Sequence, residues 1–82
     1  MKTDPEKLKE MRKAAVDSAF DSYTGWKHKG GIALYELAKT VKSPRRYDKG
    51  ISPYTLYSWI KSDLKESYTI IHESYEYWVL RK

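Results

Sequence analysis

Apolar side chains fall into three stretches of helical spacing and then one of strand-like composition. Leu8, Met11, Ala15, Ala19 and Phe20 recur at helical intervals and predict an amphipathic helix. Lys7, Lys9, Lys13 and Asp17 fall off that face and are expected in solvent. Asp4 suits the N-cap and Pro5 the first helical position, where a missing N–H is no loss. The helix should end near Ser22. Leu34, Leu37, Ala38 and Val41 predict a second helix from about Ile32 to Val41. Ser43-Pro44 stops it, because the residue before proline avoids the α region. Ser52 and Pro53 repeat the cap-and-proline start, and Leu56, Trp59, Ile60 and Leu64 give the third helix its buried stripe.

The segments between and after the helices read differently. Tyr23–Lys29, which contains Gly25 and runs up to Gly30-Gly31, is either a short strand or an irregular loop. Tyr68–His72 and Tyr77–Leu80 are rich in β-branched and aromatic residues, with a polar Glu73-Ser74 between them, and predict a β-hairpin. The rival is one amphipathic helix through Ile71, Tyr75 and Trp78. The expected class is therefore α+β, three helices with a C-terminal β-hairpin; the alternative is a small all-α bundle.

With 82 residues the chain is expected to be one domain, 1–82. Twelve aromatics, eight of them tyrosine, argue for an ordered core. The absence of cysteine rules out disulfides and thiolate metal sites and suits a reducing compartment. No apolar run approaches the ~20 residues that span a bilayer, and Met1–Glu10 is charged, so the expectation is a cytoplasmic protein without membrane contact. Net charge is +5, and its distribution matters more than its size. Residues 1–23 are neutral and 63–82 carry −1, whereas 24–62 hold eight basic side chains against Glu36 and Asp48, a net +6. Such a basic block is the footprint of a polyanion binder; the alternative is a solvated surface with a basic tilt.

Glu36-Leu37-Ala38-Lys39 and Ile51-Ser52-Pro53-Tyr54-Thr55-Leu56-Tyr57-Ser58-Trp59-Ile60-Lys61 resemble the helix-turn-helix of site-specific recombinases, transposases, excisionases and small phage regulators. The likeness covers about 30 residues and is more specific in its second half. One departure stands out. Those families join the two helices by three or four residues, whereas nine separate Val41 from Ile51 here. Either a basic insertion expands the turn or the two helices pack differently. The order helix, short segment, helix, loop, helix, hairpin matches the winged variant of that fold. The resemblance implies sequence-specific duplex DNA binding by a transcriptional regulator or recombination accessory factor of a phage or mobile element. It further implies that Tyr54 and Ser58 face bases while Thr55 and Tyr57 meet phosphate.

The residue chemistry agrees. Leu56, Trp59 and Ile60 can face the domain, leaving Ser52, Tyr54, Thr55, Tyr57, Ser58 and Lys61 for phosphates and base edges, with no acidic residue between Ile51 and Ser62. Lys39, Lys42, Arg45, Arg46 and Lys49 add positive charge before that helix. Arg45 and Arg46 are suited to clamping the backbone or entering a minor groove, or are plain solvated loop residues. Glu73 and Glu76 make the hairpin tip poor for phosphate, so its aromatics read as core or as a dimerisation edge of Tyr75, Tyr77 and Trp78, with Trp78 in the core. A module this small is expected to act as a dimer or on tandem sites. No catalytic role, cofactor, metal or small-molecule substrate is expected: His28 and His72 lack ligand-spaced partners, and Gly30-Gly31 is no phosphate loop. The second reading is a protein-interaction module without DNA contact, which presents Tyr and Trp to a host protein. A third, single-strand binding by tyrosine stacking, lacks a repeated aromatic pattern on strands.

Overall fold

In the computed structural model, which describes residues 4–42 and 50–82, three helices share a core with a three-stranded antiparallel sheet. The elements run α1 (Pro5–Ser22), β1 (Ile32–Ala33), α2 (Leu34–Thr40), α3 (Pro53–Lys61), β2 (Tyr68–Glu73) and β3 (Glu76–Arg81). The fold is α+β, and the hairpin, not the single helix of the all-α alternative, forms the tail.

α1 starts as its sequence dictates. The Asp4 carboxylate accepts from the Glu6 N–H at 3.0 Å, and Pro5 fills the first position. Its buried contacts come from the C-terminal half, at Val16, Ala19 and Phe20. The expected stripe is corrected at both ends. Met11 is exposed and Leu8 half-buried, because the first turns of an 18-residue helix extend past a core this small. Val16, absent from the predicted stripe, is fully buried. Asp17 is not simply solvated either: its carboxylate receives the Tyr68 hydroxyl and the Lys13 ammonium.

Ile32 does not begin the second helix. Ile32 and Ala33 form β1 and pair with Val79 and Trp78 of β3. The lead-in is a tight turn in which His28 and Gly31 exchange backbone hydrogen bonds, with Lys29 at φ 54° and Gly30 at φ 83°. The strand identity of Ile32 is set by a partner far along the chain, which helical spacing cannot register. α2 then buries Leu34, Leu37 and Ala38, with Val41 at its C-cap also buried.

α3 is capped by Ser52, whose hydroxyl oxygen accepts from the Tyr54 N–H at 3.1 Å. Leu56 and Ile60 face the core, and Leu64 follows in the turns beyond; Trp59 is half-buried beneath the Arg12 guanidinium. The long connection does not separate α2 from α3: Leu37, Ala38, Leu56 and Ile60 share one core, and the Ile51 N–H donates to the Ala38 carbonyl at 2.9 Å. Gly50 permits that approach, since a Cβ there would collide with the backbone of Ala38 and Lys39.

β3 is the central strand, in the order β1-β3-β2. Glu73 pairs with Glu76, so the turn is Ser74-Tyr75 and not the expected Glu73-Ser74. Both turn residues have positive φ, 52° and 63°, as a two-residue turn of type I′ requires.

Candidate functional site

α3 buries Leu56 and Ile60 and turns Ser52, Tyr54, Thr55, Tyr57, Ser58 and Lys61 outward, all of them exposed. This follows from helical periodicity, which sets an apolar stripe against a polar one. No carboxylate belongs to this face. The Lys61 ammonium lies 5.5 Å from the centre of the Tyr57 ring, one turn earlier. Tyr57 in turn meets Tyr77 of the hairpin edge-on, with ring centres 6.0 Å apart. Tyr54 is 87% exposed and touches little.

Other predicted residues are placed less tightly. Lys39 is exposed on α2, its ammonium 5.3 Å from the centre of the Tyr35 ring. Gly50 abuts the Lys39 backbone, which sets this lysine beside the approach to α3. Lys42 is exposed just beyond α2. Arg45, Arg46 and Lys49 lie outside the described residues. The N-terminus of α3 has few free donors for an anion, because Pro53 has no N–H and that of Tyr54 goes to Ser52.

The hairpin carries features that sequence reasoning missed. Glu73 is gripped by His28 Nε2 at 2.9 Å and Lys29 Nζ at 2.8 Å, and these bonds hold its carboxyl below the usual range. His28 also stacks on Trp78, with ring centres 4.8 Å apart, and Trp26 meets Trp78 edge-on. The indole N–H of Trp78 donates to the Glu73 carbonyl at 2.9 Å. His28 is thus tied into a local ion-pair and ring cluster. Its pairing partner is 45 positions away, and sequence spacing carries no trace of it.

No protein-family model, curated protein or solved structure matches the chain.

Between the starts of α2 and α3 and the hairpin turn lies an open, largely apolar groove of about 480 Å³. Tyr35, Tyr54, Tyr57, Tyr75 and Tyr77 line it, with Glu76 in its wall. The predicted edge of Tyr75, Tyr77 and Trp78 is divided. Trp78 is buried, whereas Tyr75 and Tyr77 are exposed at the groove. Among the described residues no cluster of His, Asp and Glu is arranged to hold a metal ion, and no helix is long and apolar enough to cross a membrane.

Proposed function

We propose that the chain is a winged helix-turn-helix domain that binds duplex DNA, with α3 as the helix presented to the major groove. The observation that carries this reading is the outward face of α3: hydroxyls and one ammonium, exposed together, with no carboxylate among them. The element order supports it, since β1 joins the hairpin sheet while α2 and α3 share a core. A recognition helix must bury one face and offer the other, and α3 does both. In this reading Tyr54 and Ser58 reach base edges, Thr55 and Tyr57 meet phosphates, and Lys39, Lys42, Arg45, Arg46, Lys49, Ser52 and Lys61 flank them. The role is binding, not catalysis, as a cytoplasmic regulator or recombination accessory factor of a mobile element. Dimers or tandem sites supply the affinity that one small module lacks.

Fluorescence anisotropy on random-sequence duplex across a salt series tests the proposal. Binding should fall steeply with salt, because each neutralised phosphate releases counterion. Lys61→Ala should lower the salt slope by about 1. Ser58→Glu, which sets a carboxylate on the docking face, should abolish binding, and Arg45→Ala with Arg46→Ala should weaken it. No binding by the folded chain even at low salt sinks the reading.

A further inference from the structure

We propose that the tyrosine groove docks a proline-rich polypeptide segment with a basic residue at one end. The inference stands independently of DNA binding.

Folding does not account for these tyrosines. Tyr75 is fully exposed and Tyr54 nearly so. Tyr75 also occupies φ 63°, a conformation that Asn or Gly would adopt with less strain. A large aromatic that is strained, unpacked and at the mouth of a groove points to something bound there.

The chemistry of the walls selects the ligand. An extended polyproline II segment has no internal hydrogen bonds, so its carbonyls are acceptors without donors of their own. The groove answers with flat apolar rings and phenolic hydroxyls, which can donate at their rims. Its polar side chain of opposite character is Glu76, which makes no ion pair among the described residues, whereas the neighbouring Glu73 is occupied by His28 and Lys29. The charges of Glu36 and then Glu76 push the Tyr35 phenol above its ordinary value, so these carboxylates are felt at that end of the groove. A basic side chain can pair with Glu76 there. Lys39 and Lys61 lie over the rings of Tyr35 and Tyr57 and are not groove-lining residues. Tyr54 and Tyr57 belong to both the groove and the outer face of α3, so peptide and duplex would compete.

The test is a heteronuclear NMR titration of the full chain with a synthetic peptide of repeated Ala-Pro-Pro carrying one terminal Arg. Controls replace every Pro by Ala, or the Arg by Glu, and an oligothymidylate is titrated in parallel. The proposal expects saturable shifts confined to the first half of α3, the start of α2 and the hairpin turn. Tyr54→Ala and Tyr75→Ala, both at exposed positions, should each weaken binding about tenfold while leaving core resonances in place. Glu76→Gln should erase the preference for the Arg peptide over the Glu peptide. No shifts at millimolar peptide, equal binding of the proline-free control, or the oligothymidylate filling the groove in its place would each overturn it. DNA binding is read separately by anisotropy, so either result can fail alone.

Discussion

The Tyr68 hydroxyl donates to the Asp17 carboxylate, joining β2 to α1 across 51 positions of sequence. Arg81 Nη2 donates to the same hydroxyl at 3.2 Å, and Nη1 reaches Asp21 at 2.9 Å. The hairpin is thus fastened to α1 through the buried Tyr68 phenol and the Arg81 guanidinium. Tyr68→Phe removes the hydroxyl that holds Asp17, leaving the carboxylate short of a donor. It should cost about 1–3 kcal/mol, measured from the denaturant midpoint at constant m-value.

Alkaline pH should act on the same group. Burial, then the bond to Asp17, pushes the Tyr68 phenol up to about 12. A raised folded pKa means that the stabilisation is complete below pH 10 and is lost as pH climbs from about 10 to 12. The amount at stake is on the order of 2 kcal/mol. Phenolate absorbance should show a late-titrating tyrosine that vanishes in Tyr68→Phe.

Acid acts through the opposite sign. Burial pushes the Asp17 carboxyl up, but the bonds from Lys13 and Tyr68 and the charges of Lys13 and Arg81 outweigh it, and the net direction is down. The bonds from Lys29 and His28 lower Glu73 likewise. Depressed carboxylates stabilise above their ordinary values, near 3.8 and 4.5, and the contribution fades as pH falls below them. Thermal melts from pH 5 downward should decline less steeply for Glu73→Gln than for the unaltered chain.

Gly50→Ala should destabilise by about 1–3 kcal/mol, because the added methyl meets backbone at Ala38 and Lys39 and not a flexible side chain. Hydrogen exchange should locate the loss at the Ile51 amide, whose bond to Ala38 depends on that contact.

The hairpin turn predicts a gain. Replacing Ser74-Tyr75 by Asn-Gly relieves two positive-φ residues and should stabilise by about 1 kcal/mol. A rise in melting temperature accompanied by lost peptide binding would separate the two roles of Tyr75.

These relationships differ in how far they could be read along the chain. The caps at Asp4 and Ser52 were legible because a cap and its helix are neighbours in sequence. So were the buried stripes of α2 and α3 and the outward set from Tyr54 to Lys61. Ile32 was misassigned because the residue that makes it a strand, Val79, is distant. Met11 and Val16 show that periodicity finds a face but not where along a helix the core ends. The hairpin was read from composition although Ser74-Tyr75 is poor turn chemistry. The groove was illegible: its tyrosines come from α2, α3 and the hairpin, and convergence of that kind leaves no local pattern.

The hydrogen bond from Ile51 to Ala38 closes the path between α2 and α3 before any residue from 43 to 49 is considered. The core is therefore indifferent to the length of that connection. Doubling it should cost about 0.6 kcal/mol in closure entropy. A change of length between the two ends is thus expected to cost folding little. The most basic part of the chain therefore falls in the stretch on which closure of the core depends least.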